Sequence, residues 1–199
     1  MVGSNRAASA GAVLPDTTWR TRDIVVAAVI GVAFGVVFWV ADSLWNALAP
    51  VSGATPLPNF LMYGIWLMPA VLAPLIIRKP GAAVFAEMVA AVVSAFLPGN
   101  VWGPDVLLSG LVQGAAAEIV FAMTLYRTWT LPVLGIAAVA SAAAAWIHDW
   151  AIYYADVSTD VQVIRGVIMA ISAVVIVALG SSALANALRR AGVLEGFPR

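Results

Sequence analysis

The sequence has no cysteine and only one histidine, His148, among its 199 residues. Without cysteine there is no disulfide, no thiolate nucleophile and no thiolate metal ligand. Charged side chains are also scarce, at 10% of the chain, whereas 63% of the residues are hydrophobic. Apolar residues occur along the whole chain, which leaves no segment for a soluble domain. The sequence therefore predicts an all-α integral membrane protein.

Six apolar segments are long enough to cross a bilayer as helices, which takes roughly 20 residues. Proline, glycine and charged residues separate these segments. The expected membrane domain covers residues 19–190, between a disordered N-terminal tail at 1–18 and a C-terminal tail at 191–199. The predicted spans are residues 23–49, 59–77, 80–97, 104–126, 131–154 and 162–188.

Arginine and lysine lie before the first helix, in two of the loops and at the end of the last helix. Because cations in short loops stay on the cytoplasmic side of a membrane, both termini are predicted to be cytoplasmic. Arg165, a turn inside the sixth helix, is the one exception to this pattern. The cations that define the cytoplasmic side are Arg20, Arg22, Arg78, Lys79, Arg127, Arg189 and Arg190.

Two glutamates, Glu87 and Glu118, lie deep inside apolar segments. A charged side chain at the bilayer centre costs about 2.5–3.5 kcal/mol on insertion scales, so such residues usually pair or face a cavity. We expect the two carboxylates to share a level and to bind a polar or cationic ligand. The alternative is that each forms an interhelical hydrogen bond that only holds the bundle together.

Further polar and aromatic residues cluster toward the side of the bundle that carries no loop cations. Helical spacing places Asn59, Tyr63 and Trp66 on one face of the second helix. Aromatic faces attract a cation by about 0.5–2 kcal/mol each, and they also stack on flat rings. Single aromatics at this depth can instead be interfacial anchors. The complete candidate ligand set is Glu87, Glu118, Trp66, Tyr63, Asn59, Trp102, Asn100, Trp146, Asp149 and Asp42.

Two stretches of sequence resemble the YkoE family of S components, the substrate-binding subunits of energy-coupling factor (ECF) vitamin transporters. They are IIRKPGAAVFAEMVAA at residues 76–91 and DVLLSGLVQGAAAEIVFA at residues 105–122. The resemblance implies a six-helix S-component bundle in the cell membrane of a prokaryote. It also implies a non-enzymatic chain without a cofactor, which captures a thiamine-related compound for uptake.

The same resemblance implies partners, namely a transmembrane scaffold (T) subunit and two ATP-hydrolysing subunits. The sequence contains no GxxxxGK[ST] phosphate loop, so ATP hydrolysis is expected in other chains. Small residues every fourth position let helices approach closely. Ala27, Gly31 and Gly35 on the first helix form such a row and are the expected contact with the scaffold subunit.

Thiamine joins an aminopyrimidine to a cationic thiazolium, and the predicted site offers flat stacking surfaces, hydrogen-bond partners and negative charge. Hydroxymethylpyrimidine, which lacks the thiazolium, is the main alternative ligand. A cobalt or nickel transporter component is a further alternative, although such metals prefer imidazole and thiolate ligands. In an intramembrane hydrolase, His148 and Asp149 would have to activate Ser109 or Ser141 as a nucleophile, but no nucleophile motif surrounds either serine.

Overall fold

A computed structural model describes residues 17–52, 57–100 and 102–198 of the chain. Within these residues the backbone forms six helical segments, each at the place where the sequence predicts a span. The predicted N-terminal tail lies, as far as residue 16, outside the described residues. The segments are α1 Thr21–Ser52, α2 Leu57–Ile77, α3 Ala82–Phe96, α4 Asp105–Met123, α5 Leu131–Ile152 and α6 Thr159–Arg190.

Five of the six segments, all except α3, are long and apolar enough to cross a membrane. Helix α3 has 15 residues, which at 1.5 Å per residue gives a length of about 22 Å. This is shorter than the hydrocarbon core of a bilayer, which is about 30 Å thick. The first amides of α3 therefore need hydrogen-bond partners from neighbouring helices, because lipid offers none.

Helix α2 lies at the centre of the bundle, and all ten residues of its second half, Met68–Ile77, are buried. Its first half, Leu57–Leu67, is a 3-10 helix, although 3-10 runs beyond three or four residues are uncommon. This half packs on α6, where Ser172 Oγ donates to the carbonyl of Leu61 over 2.7 Å and accepts from the amide of Gly64 over 2.9 Å. The π-helical stretch Ala173–Leu179 of α6 begins directly after Ser172. The two irregular helices thus meet through one serine.

Helices α1 and α3 pack closely through the glycines of α1. A Cβ atom on Gly31 would lie 2.6 Å from Cβ of Val89, and one on Gly35 would lie 2.5 Å from Cβ of Val93. Ala27, one turn earlier, is fully buried. Helix α3 thus covers Gly31 and Gly35 within the chain, and the contact of Ala27, Gly31 and Gly35 with a partner subunit stays a prediction.

The predicted cytoplasmic cations gather at one end of the bundle, which we call the basic end. Trp19 Nε1 donates to the carbonyl of Pro80 over 2.9 Å, which joins the start of the described chain to the α2–α3 turn. The guanidinium of Arg22 lies 5.0 Å from the ring centre of Phe197, so the C-terminal segment returns to the same end. The assignment of the basic end to the cytoplasm stays a prediction.

We predict that Gly31→Leu lowers the stability of the isolated protein. The new side chain would overlap Val89 and the carbonyl of Ala86, which lies 2.8 Å from the position of a Cβ atom. Overpacking of this kind typically costs about 1–3 kcal/mol. Thermal unfolding in detergent measures the effect, and Ala33→Leu is the matched control because Ala33 is an exposed residue of the same helix. Equal melting temperatures for the two variants would contradict the packing described here.

Candidate functional site

A cavity lies between α1, α2, α3, α4 and the end of α5, with four carboxylates in its lining. It offers ≈ 90 Å³ to the centres of water molecules, several times the roughly 10–15 Å³ that one water requires. The acidic residues of the lining are Asp42, Glu87, Asp105 and Asp149, and the aromatic residues are Phe38, Trp45, Phe60, Tyr63, Trp66, Trp102, Tyr153 and Tyr154. The cavity therefore combines negative charge with flat apolar walls.

Glu87 lies in the part of the lining contributed by α3, and its side chain is completely buried. Its Oε2 accepts a 2.9 Å hydrogen bond from the amide of Ala70, at the point where α2 changes from a 3-10 to an α-helix. The amides of a helix start lack partners within the helix, so this carboxylate satisfies one of them. Among the described residues, Glu87 Oε1 has no hydrogen-bond partner. This oxygen is available to a bound molecule.

One wall of the cavity is a row of aromatic rings on the 3-10 half of α2. Because a 3-10 helix has three residues per turn, side chains three apart lie directly above one another. Phe60 and Tyr63 accordingly stack with ring centres 6.2 Å apart, and Trp66 follows 5.7 Å from Tyr63. Asn59, expected on this face from α-helical spacing, instead donates through Nδ2 to the carbonyl of Trp45 and is not part of the lining.

Asp42 on α1 is held by hydrogen-bond donors from three other parts of the chain. Its Oδ1 accepts from Nε1 of Trp66 over 3.1 Å and from Nε1 of Trp102 over 3.3 Å. Its Oδ2 accepts from Ser94 Oγ over 3.3 Å. Asn100 lies outside the lining and orients Trp102, because its Oδ1 accepts from the Trp102 amide over 2.8 Å. Asp42 thereby fixes two of the tryptophans that line the cavity.

Asp149 and Asp105 close the opposite side of the cavity, on either side of His148. Tyr63 donates to Asp149 Oδ2 over 2.8 Å, and Tyr153 donates to Asp105 Oδ2 over 2.5 Å. Nδ1 of His148 lies 3.1 Å from Asp149 Oδ1, and its Nε2 lies 3.2 Å from Asp105 Oδ1. Burial, followed by the hydrogen bond to Asp105, raises the pKa of Tyr153, so its phenol remains a donor.

Ser109 and Ser141, the candidate nucleophiles of a hydrolase, form hydrogen bonds with Gln113. Ser141 Oγ donates to the carbonyl of Gln113 over 2.8 Å, and Ser109 Oγ accepts from Nε2 of the same glutamine over 2.6 Å. Both ring nitrogens of His148 face aspartate oxygens rather than a serine hydroxyl. In the part of the chain that the structure describes, no group of three or more His, Cys, Asp or Glu residues could hold a metal ion.

Glu118 lies outside the cavity and binds the start of α3. Its Oε1 accepts from the amide of Gly81 over 2.6 Å, and its Oε2 accepts from the amide of Ala83 over 2.9 Å. Tyr126 completes the arrangement with a 2.7 Å hydrogen bond to Oε1. Burial and this bond raise the pKa of Tyr126. Glu118 therefore supplies the partners that the short α3 needs, at a different level from Glu87.

Six of the ten predicted ligand residues line the cavity, namely Glu87, Trp66, Tyr63, Trp102, Asp149 and Asp42. Trp146 does not, because its indole donates to the carbonyl of Gln162 over 2.9 Å and packs α5 against α6. Sequence reasoning missed Asp105 and Phe60. Asp105 has the sequence position of an ordinary acidic residue in the first turn of a helix, and Phe60 reaches the wall only because α2 begins as a 3-10 helix.

A bundle of apolar helices around a walled cavity with buried carboxylates defines a membrane-embedded protein that binds a small polar molecule. Among the described residues, no catalytic group of side chains lines the cavity.

Comparisons with known proteins identify the family. A family model described as "ABC-type cobalt transport system, permease component" matches residues 22–144. The "Putative HMP/thiamine permease protein YkoE" of Bacillus subtilis (strain 168) is 38% identical over 181 residues, which cover 90% of this chain and 89% of that protein. A crystal structure of an S component of an ECF transporter superposes with a TM-score of 0.85 at 38% identity, covering 90% of both chains.

The chain belongs to the YkoE family of ECF-transporter S components. It is a multi-pass membrane protein of a prokaryote, and its family consists of substrate-binding subunits without enzymatic activity. The resemblance noted in the sequence is thereby confirmed, as is the all-helical S-component fold.

We predict that Glu118→Ala destabilises the protein without changing the cavity. The variant leaves the amides of Gly81 and Ala83 without their partner, and each unsatisfied buried group costs about 1–3 kcal/mol. Tyr126→Phe, which removes only the third hydrogen bond to Glu118, serves as the graded control. The measurement is the unfolding temperature in detergent, and a Glu118→Ala protein as stable as Tyr126→Phe would contradict the capping role.

Proposed function

We propose that this chain captures thiamine and presents it for uptake by partner subunits of an ECF transporter. The observation that carries the proposal is the buried Glu87 carboxylate, which lines the cavity with one oxygen held by Ala70 and the other without a partner among the described residues. An unpaired carboxylate oxygen in an apolar bundle favours a ligand that brings a hydrogen-bond donor or a positive charge. Thiamine brings both, on its aminopyrimidine and on its thiazolium.

The walls of the cavity support a flat, aromatic ligand. Phe60, Tyr63 and Trp66 form a continuous row of rings, and Trp45 contacts both Phe60 and Trp66 edge to face at 5.1 and 5.9 Å between ring centres. Ring pairs of this kind add about 0.5–1.5 kcal/mol each beyond the buried area. A planar pyrimidine or thiazolium that enters the cavity would find aromatic surfaces already fixed by packing.

The charges around the cavity favour a particular placement of the thiazolium. Arg165 is fully buried behind the wall, with its guanidinium 5.2 Å from the ring centre of Phe60 and 4.2 Å from that of Tyr154. Glu87 and Asp42 line the cavity without an arginine or lysine among their hydrogen-bond partners in the described chain. We therefore place the thiazolium cation on the side of Glu87 and Asp42, away from Arg165.

The proposed partners are a transmembrane scaffold (T) subunit and two ATP-hydrolysing subunits, because the chain belongs to a family of ECF-transporter S components. The sequence supports this division of labour, because it carries no phosphate-binding loop of its own. Gly31 and Gly35 pack on α3 in the described structure, so a scaffold contact through Ala27, Gly31 and Gly35 would require α3 to move away from them.

Hydroxymethylpyrimidine, which has the pyrimidine ring without the thiazolium, is the second candidate ligand. The relative from Bacillus subtilis is named for both compounds. The cobalt alternative has only the description of the family model in its favour.

Titration of the detergent-purified protein with thiamine, hydroxymethylpyrimidine and Co²⁺ tests the ligand directly. Because Trp45, Trp66 and Trp102 line the cavity, we expect tryptophan fluorescence to change when thiamine binds. Tighter binding of hydroxymethylpyrimidine would assign the site to the pyrimidine alone. A response to Co²⁺ with none to either organic compound would overturn the proposal.

We predict that Glu87→Gln weakens thiamine binding roughly tenfold to a hundredfold. The amide oxygen can still accept from Ala70, so the fold is retained, but the negative charge opposite the ligand is lost. A hydrogen bond to a charged group contributes about 1.5–3 kcal/mol, which corresponds to that range of Kd. Glu195→Gln is the control, since Glu195 is exposed at the basic end. A Glu87→Gln protein that is folded and binds thiamine as tightly as the parent would show that Glu87 is not a ligand contact.

A further inference from the structure

The single histidine of the chain lies between two aspartates from different helices. His148 is on α5, with its side chain only 6% exposed, and its ring nitrogens lie 3.1 Å from Asp149 Oδ1 and 3.2 Å from Asp105 Oδ1. Asp105 is the first residue of α4, so the imidazole joins the start of α4 to the end of α5. We call these three residues the Asp–His–Asp clamp.

The geometry of the clamp fits an imidazole that carries a proton on each ring nitrogen. A neutral imidazole has one N–H donor and one bare nitrogen, and the bare nitrogen would point its lone pair at a carboxylate oxygen. An imidazolium donates from both nitrogens and therefore fits two carboxylates. We propose that His148 is a proton-binding site, held as an imidazolium between Asp105 and Asp149.

The groups around the clamp are consistent with two ionised aspartates. The second oxygen of Asp149 accepts from Tyr63 on α2, and that of Asp105 accepts from Tyr153 at the end of α5. All four oxygens of the two carboxylates thus accept hydrogen bonds when His148 donates twice, and none needs to carry a proton.

Charge balance supports the same assignment. The guanidinium of Arg165 on α6 interacts electrostatically with Asp149. With the imidazolium, two cations face two aspartates, and the cluster is neutral. With a neutral His148, one aspartate in this apolar bundle would lack a countercharge, which is costly. The remaining carboxylates of the cavity, Asp42 and Glu87, have their own donors from other residues.

The bound proton has a mechanical consequence at the opening of the cavity. Tyr153, which is 37% exposed, marks where the lining reaches the surface. Trp102 packs edge to face on Tyr153 at 5.2 Å and bonds to Asp42. The clamp holds Asp105, and through it Tyr153, beside this tryptophan. When His148 loses its second proton, the imidazole can donate to only one of the two aspartates, and we infer that the weaker hold on Asp105 lets Tyr153 move and widens the opening.

Nitrogen NMR of the detergent-purified chain labelled with ¹⁵N-histidine tests the proton site without any ligand. The chain has one histidine, so one pair of ring signals reports on His148. At about pH 7.5 an unperturbed imidazole, which titrates near 6.5, is about 90% neutral. We expect both ring nitrogens of His148 to be protonated in the parent protein at this pH. In Asp105→Asn, the imidazole should be mostly neutral, with one of its two nitrogens bare. Asp156→Asn, at an exposed loop carboxylate, should match the parent.

One bare and one protonated ring nitrogen in the parent protein at that pH would overturn the proposal. This result needs no variant to fold, because it concerns the unaltered chain.

The effect on the opening rests on the proposed function, and thiamine dissociation measures it. We expect dissociation to become roughly tenfold faster once the pH is raised until the nitrogen signals show that His148 has lost its second proton. His148→Gln should release thiamine fast on both sides of that transition. A release rate independent of pH in the parent would overturn the link to the opening. Two protonated nitrogens together with no thiamine binding would keep the proton site and refute the proposed ligand.

Discussion

Buried and half-buried carboxylates that accept hydrogen bonds from the first amides of neighbouring helices are the interaction on which this bundle depends. In lipid, no water replaces a missing partner at a helix start. Glu118 of α4 binds the start of α3, and Glu87 of α3 binds the point in α2 where the α-helix begins. Helices α2 and α3 are thus each completed by the next helix along the chain. The apolar layer makes these bonds hard to exchange, so the relative heights of α2, α3 and α4 are fixed.

In the cavity, Glu87 also accepts a hydrogen bond from a helix amide, but its second oxygen has no partner among the described residues. Both oxygens of Glu118 accept hydrogen bonds from the start of α3, whereas only one oxygen of Glu87 accepts a hydrogen bond within the described residues. Asp42 and Asp149 are likewise held by donors from other helices before any ligand arrives. Polar groups that are fixed in advance lose little entropy when they meet a ligand. For the two glutamates, the number of satisfied oxygens distinguishes the structural role of Glu118 from the proposed binding role of Glu87.

Sequence reasoning identified the six helices and singled out the two glutamates inside them. Both results follow from local properties of the chain, namely its hydropathy and the free energy needed to place a carboxylate in lipid. It could not separate Glu87 from Glu118, since both are glutamates inside apolar helices and only the packing decides what each one meets. Nor could it see that the small-residue face of α1 is filled by Val89 and Val93. A row of small residues predicts close approach of a helix, but not which helix approaches. Asn59 was misplaced for another reason, because the α-helical period was assumed for a 3-10 segment.

The aromatic wall is as much a property of the backbone as of the side chains. In the 3-10 half of α2, Phe60, Tyr63 and Trp66 stand above one another because each residue turns the helix by about 120°. In an α-helix each residue turns by about 100°, and the same three rings would fan out over about 120°. The segment would also shorten by about 5 Å over its 11 residues. A change of hydrogen-bond register in the backbone would therefore dismantle the aromatic wall of the cavity while every side chain stayed the same.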